Sequence, residues 1–338
     1  MDKYNVEIST DNLLKLIYFS IIIFLIYQLR VVFIILLISF IISSGIILFS
    51  RKISDKLNIN YLFSLTLVFS FILFVLSLIL IIFVPTLVSE INAFIKNIPI
   101  ITSNFEKFIE DISLGSFGNN FDISGNGIKL DLPKYSTDFI NSIILTSKEI
   151  SLVIFNTLVI LVLTFYISIN FKSFDDIFTF FSPYKYQKKI RNNIEKARTK
   201  VGEWLVGKMI TSSLMGISFY IILLIFGIPY AILFGLMVAI FDIIPYIGPL
   251  IAVFPVIIIA FSISIQLGLI IIIAYIILQN IQSNVYEPLI IGKATGLSPI
   301  VIFVSILLGA SIFGAVGAII AVPSVSIISI FIEDLKAE

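Results

Sequence analysis

"FDIIPYIGP" (241–249) interrupts a long apolar stretch with one carboxylate, two prolines and a glycine. Asp242 is the only charged residue between Lys208 and Glu287. A carboxylate at the centre of a membrane helix costs about 2.5–3.5 kcal/mol on insertion scales, so such groups face a bundle interior or a watery cavity. Pro245 and Pro249 lack a backbone donor, and Gly248 allows torsions closed to other residues. Unwound backbone at membrane depth survives only where protein buries it or water reaches it. One reading is therefore a broken helix, with Asp242, Pro245, Tyr246, Gly248 and Pro249 forming a transport or gating site. Freed carbonyls beside a carboxylate can hold a small cation there. The plainer reading puts Asp242 at an interface, with the box as a turn between two spans.

The flanks decide the class. Of 338 residues, 59% are hydrophobic and 13% charged, against about 25% charged in a soluble domain. Uncharged runs cover 31–50, 57–89, 150–171, 209–241, 243–286 and 294–332, and crossing a bilayer takes about 20 apolar residues. The expectation is an all-α polytopic membrane protein of about seven to nine membrane segments, some of them broken or re-entrant. The N-terminal stretch, mixed in charge and running on into more apolar sequence, reads as a retained helix rather than a signal peptide.

The chain has no Cys and no His. Disulfides, thiolate sites and imidazole chemistry are excluded, and no metal centre or cofactor is expected. Proton or cation handling falls to carboxylates, Lys, hydroxyls, amides and carbonyls. There is no Walker loop, HExxH or GxSxG, and a serine triad cannot form without His. Nothing points to an enzyme or a nucleic-acid partner. With no ATP-binding domain in the sequence, transport is expected to be passive or driven by an ion gradient.

Three membrane helices are expected over 1–85, at 13–29, 31–50 and 61–84. Arg30 reads as a turn residue that snorkels to an interface, and Pro85 ends the third helix. Region 86–147 is polar enough for a small extracellular head. Apolar residues at 91, 94, 95, 98 and at 105, 108, 109, 112 give helical faces, and a Gly/Asn-rich loop follows. A fourth helix covers 148–170. Region 171–208 reads as a basic amphipathic helix at a lipid headgroup surface, with Lys188, Lys189, Arg191, Arg198 and Trp204 as its contacts, or as one packed on its own bundle. A C-terminal bundle (209–332) includes spans near 209–226, 250–265 and 267–284. The run 294–332 is too long for one straight span and reads as a hairpin; a tail occupies 333–338.

Loop charge sets the orientation. Region 51–60 is net +2, region 86–147 (four Lys, seven acids) net −3, and region 171–208 (nine Lys or Arg, four acids) net +5. Basic loops favour the cytoplasm, which puts both termini and 171–208 inside and 86–147 outside.

Two further patterns stand out. "LQNIQSNVYEPLIIG" (278–292) gathers Gln279, Asn280, Gln282, Asn284 and Glu287. Its amides either glue helices together or line a polar path, and Glu287 beside Pro288 suits an interface. "LLGASIFGAVGAIIAVP" (307–323) carries Gly309, Gly314 and Gly317 ahead of Pro323, a spacing for close helix packing.

These motifs, in this order, resemble the AI-2E family of membrane transporters. The likeness is carried by 201–255, with its D-x-I-P-Y-I-G-P box, by 278–323, with P-x-x-x-G, L-S-P, G-x-x-x-G and V-P, and by the layout of spans. Asp242, Pro245, Gly248 and Pro249 match the box. Pro288 and Gly292 match the late connector, and Pro299, Gly309, Gly314, Gly317 and Pro323 the C-terminal signature. A common Gly-Gln pair is here Gly207-Lys208, and a position that is often His is Ser298. The resemblance implies a prokaryotic cytoplasmic-membrane exporter of a small sugar-like signal, autoinducer-2. It also implies, as an alternative, sodium or lithium/proton antiport, with Asp242 the first carboxylate and Glu287 the second. A different class is a membrane scaffold with 86–147 as its partner-binding head. The apolar faces of that head call for a partner, and a homo-oligomer in the lipid bilayer is the expected state.

Overall fold

The structure, a computed structural model, describes residues 18, 28–114, 150–180, 182–292 and 296–336. The helix expected at 13–29, the loop over 115–147 and the middle of the late connector fall outside, wholly or in large part. The described residues are helical and contain no strand. The helices are α1 (Arg30–Leu57), α2 (Tyr61–Leu114), α3 (Ile150–Ile169), α4 (Phe171–Phe180), α5 (Tyr184–Ile225), α6 (Ala231–Phe241), α7 (Ile247–Ile263), α8 (Ile265–Ile281), α9 (Glu287–Ile290) and α10 (Pro299–Lys336). Six of the described helices are long and apolar enough to cross a membrane, and the chain is an all-α polytopic membrane protein.

Two expected boundaries are corrected. Helix α2 does not stop at Pro85; it runs on through Pro85 and Pro99 to Leu114. Proline removes one backbone bond, but tertiary contacts hold the segment beyond it. Leu87, Ile91, Phe94 and Ile101 pack on the core of α5–α8. Glu90 accepts the Leu233 N–H at 2.7 Å, and Asn97 donates to the Tyr230 hydroxyl at 2.8 Å. The apolar side formed by Leu87, Ile91, Phe94 and Ile101 is thus covered within the chain, while Ile100 stays exposed. The second correction joins the amphipathic helix to the span after it: both belong to the continuous α5.

Helix α5 is the ruler of the fold. Near its C-terminal end, Gly216 and Tyr220 meet Gly235 of α6 so closely that a Cβ on Gly235 would lie 2.7 Å from Tyr220 Cβ. Helix α6 therefore runs back along α5, and its end at Asp242 comes level with Ser212. Met215, Phe219, Phe234, Val238, Val256 and Ile271 seal this region with no exposed surface. Near the middle of α5, Gly202 lies against the Ser44 carbonyl of α1, where a Cβ would come within 2.6 Å of the oxygen. Small residues let these backbones approach, the usual device for packing helices in lipid.

Helix α10 is a hairpin, as its length required. Gly314 has φ 63° and ψ −148°, which breaks the helix. The backbones fold together at Gly309 and Gly317: a Cβ on Gly317 would sit 1.9 Å from the Gly309 oxygen. A straight helix would hold these residues about 12 Å apart. The returning arm ends at Asp334, which accepts from Asn193 of α5 at 2.8 Å. Two hairpins thus approach from opposite ends of α5: α6–α7 with its tip at 242–246, and α10 with its tip at Gly314. Helix α6, about 16 Å long at 1.5 Å per residue, reaches only halfway through about 30 Å of hydrocarbon.

The close approach at Gly317 predicts that Gly317→Ala lowers stability by roughly 1–3 kcal/mol, the cost of overpacking. Gly45→Ala meets only side-chain ends, Leu205 at 3.3 Å and Val206 at 3.4 Å, and is nearly neutral. Thermal unfolding of the two purified variants checks this; equal midpoints would overturn the hairpin contact.

Candidate functional site

The tip of the α6–α7 hairpin is built from the opening nonapeptide. Asp242 caps the C-terminus of α6, its N–H bonded to the Val238 carbonyl at 2.9 Å. The chain reverses through Tyr246, which has φ 65°, an uncommon setting for a non-glycine residue. Gly248 is required on other grounds: a Cβ there would lie 1.7 Å from the Phe241 carbonyl oxygen. The Tyr275 hydroxyl of α8 donates to the Pro249 carbonyl at 2.8 Å and ties the tip down.

Asp242 is at once a turn residue and a buried charge. Its Oδ2 accepts from Ser212 Oγ at 2.7 Å and from Gln282 Nε2 at 2.7 Å. Lys208 Nζ stands 3.0 Å from the same oxygen; the two side chains are 4% and 2% exposed. The same ammonium donates to Glu287 Oε1 at 3.0 Å. A helix C-terminus carries partial negative charge, so a lone carboxylate at the end of α6 would be doubly unfavourable. Lys208 offsets both terms. One cation serves two carboxylates, and the cluster is net negative.

Gln282 and Glu287 reach this point through a π-helical turn, Gln282–Tyr286. Its i→i+5 bonding, seen in the Glu287 N–H to Gln282 carbonyl contact, turns residues five apart toward a common side. Such turns are frequent at functional sites. The Oε1 atoms of Gln279 and Gln282 are buried without a protein partner.

Lys208, Asp242, Gln279, Gln282 and Glu287 line a cavity of about 560 Å³, together with Trp204, Pro245, Tyr246, Pro249, Pro288, Gly292, Ile302 and Val322. The volume is in the range of small-molecule sites. Of the residues expected here, Asp242, Pro245, Tyr246, Pro249, Gln279 and Glu287 come together. Asn280 and Asn284 do not: both are exposed, and their amides bond to the carbonyls of Ile276 and Asn280 on their own helix. Gly309, Gly314 and Gly317 form the second hairpin, and Pro323 is buried in its returning arm. Lys208 and Ser212 do not stand out in the sequence as site residues, and Gln282 does so only as one of the amides of 278–292. The available signal was Lys208 itself, the last charge before the apolar run, with Ser212 one turn on.

The expected headgroup contacts divide. Lys188 and Arg191 are exposed, Arg191 pairs with Asp176, and Lys189 lies 3.2 Å from Asp334. Arg198 and Trp204 are corrected: they are 2% and 5% exposed and face the protein. The apolar side of α5 packs on α1 and α10. Arg198 pairs with Asp175 and Glu195, while Arg51 of α1 also pairs with Glu195. Both guanidiniums lie over the Phe171 ring, at 5.2 and 4.6 Å. Burial pushes the Asp175 carboxyl up, with Arg198 opposing it. Burial also pushes Glu195 up, but hydrogen bonds and charge from Arg51 and Arg198 outweigh it and hold it below the usual range.

The geometry predicts an order of stability losses. Lys208→Met leaves the Asp242 charge buried and uncompensated, a loss of about 3–5 kcal/mol. Asp242→Asn leaves Lys208 its second carboxylate and costs less. Unfolding midpoints of both variants test this; equal losses would show that Glu287 does not share the ammonium.

Residues 16–337 match the family described as AI-2E family transporter. "Putative transport protein sll0060" of Synechocystis sp. is 27% identical over 82% of this chain and 80% of its own length. YrrI of Bacillus subtilis, also named for transport, is 29% identical over 45% of this chain and 43% of its own length. "AI-2 transport protein TqsA" of Escherichia coli is 29% identical over 41% of each. The aligned stretch thus spans less than half of YrrI and TqsA. These relatives are named as transport proteins, not enzymes.

Proposed function

The chain belongs to the AI-2E family of transporters, and on that premise we propose that it moves a small polar organic solute across a prokaryotic cytoplasmic membrane through the cavity beside Asp242. The observation that carries this reading is the cavity itself, set where two opposed hairpins meet. Aromatic faces at Trp204 and Tyr246, with orphaned amide oxygens at Gln279 and Gln282, suit a hydroxylated cargo. A sugar-like signal such as autoinducer-2, the cargo in the printed name of TqsA, fits that chemistry. Export is the direction we assign, without ATP.

The orientation follows from loop charge: both termini and 171–208 inside, 86–147 outside. We also take the working form to be a homo-oligomer, with the exposed apolar surface of α2, such as Ile100, as a candidate contact. Exchange of sodium or lithium for protons at Asp242 is the second reading, supported by the burial of that carboxylate. It requires Lys208 to release Asp242 first, which favours the organic solute.

Efflux of autoinducer-2 from loaded proteoliposomes tests the proposal. Asp242→Asn is expected to cut flux at least about tenfold, equivalent to roughly 1.4 kcal/mol in the barrier. Asn284→Leu, outside the cavity, leaves it unchanged. Wild-type vesicles that release no solute, yet move protons against a sodium gradient, would replace this reading with the antiporter.

A further inference from the structure

We propose that Lys208 is a tethered cation: its ammonium fills the place at Asp242 that an alkali ion would otherwise take, so the site is charge-compensated without an external ion. The inference deepens the transport reading and rests on it for its meaning in the cycle, but the ion chemistry can be measured separately.

The surroundings of Lys208 Nζ are those of a cation site. The ammonium is 3.0 Å from Asp242 Oδ2 and 3.0 Å from Glu287 Oε1. Ser212 Oγ lies 2.7 Å from the same Asp242 oxygen, and the buried Oε1 of Gln282 has no protein partner. Carboxylate, hydroxyl and amide oxygens are the ligands hard cations prefer. A free sodium ion would have to displace a positive charge attached to α5 by its own side chain, and a tethered group acts at high effective concentration. It would also leave a buried ammonium with Glu287 as its one carboxylate, at a large desolvation cost.

The three charges come from three elements: Lys208 from α5, Asp242 from the α6–α7 tip and Glu287 from α9. With Lys208 in place, the cluster holds one cation and two anions. Replacing Lys208 by the uncharged Gln leaves two carboxylates, one fully buried, and a spare set of oxygens. Such a site recruits sodium or lithium. The lysine thereby determines whether this protein depends on alkali ions at all.

The test is thermal unfolding of the purified full chain in NaCl, LiCl or choline chloride at matched ionic strength and mildly alkaline pH. Wild type, Lys208→Gln and Lys208→Gln/Asp242→Asn are compared. The wild-type midpoint is expected to be the same in all three salts. Lys208→Gln should unfold earlier in choline and regain roughly 2–4 °C for each tenfold rise in NaCl or LiCl above its dissociation constant. The double variant, with no buried charge to neutralise, should again ignore the salt.

Sodium-specific stabilisation of the wild type would overturn the proposal, since the ammonium would then not exclude the ion. So would a Lys208→Gln protein indifferent to sodium. So too would one that cannot be purified even in NaCl while the double variant can, because no external ion would then replace the ammonium. The readout needs no cargo. An ion pattern as expected, in protein that moves no solute, would keep the tethered cation and discard the transport reading.

Discussion

A carboxylate held almost free of water must be neutralised, and in this protein Lys208 does so for Asp242. Removing both charges from water costs several kcal/mol per ion, recovered only with good geometry and further hydrogen bonds. The 3.0 Å contact to Asp242, the shared contact to Glu287 and the donors from Ser212 and Gln282 meet that condition. The partners come from three parts of the chain: α5, the α6–α7 tip and the turn after α8. The pair therefore fixes the height of the α6–α7 tip along α5 and the angle at which the π-turn after α8 arrives.

Backbone contacts bring those partners into range. Gly248 lets the start of α7 touch the end of α6, and Gly216 and Gly235 let α6 lie against α5. Glu90 accepts a backbone N–H in the first turn of α6, where a negative charge suits the helix dipole. Helix α6 is thus held at both ends by charges from other elements, Glu90 at its start and Lys208 beyond its finish. A helix of this length would not hold a fixed position across a bilayer on its own apolar surface.

A second charged cluster lies further toward the N-terminus of α5. Arg198, Asp175, Glu195 and Arg51 join α1, α4 and α5 around the Phe171 ring. Like the first cluster, it places a nearly buried cation, Arg198, between two carboxylates. The two clusters sit on one continuous helix, α5.

Composition and periodicity determined much of this by themselves. The uncharged runs set the membrane class, the excess length of 294–332 required a hairpin, and an isolated Asp242 in an apolar stretch marked the candidate site. These features are local, because a run of apolar residues needs no partner to be legible. Tertiary structure decided the rest. It carried α2 through Pro85, since packing against α6 and α7 outweighs one lost backbone bond. It turned Arg198 and Trp204 inward, since the apolar stripe of α5 could be covered by protein as well as by lipid. It turned Gln279 and Gln282 into the cavity and left Asn280 and Asn284 outside it; helical spacing puts the two pairs on different faces but does not say which face meets the protein. Above all it brought Lys208 to Asp242, residues whose separation along the chain gives no hint of contact. A buried charge announces that it needs a counter-charge, but only the fold chooses which one.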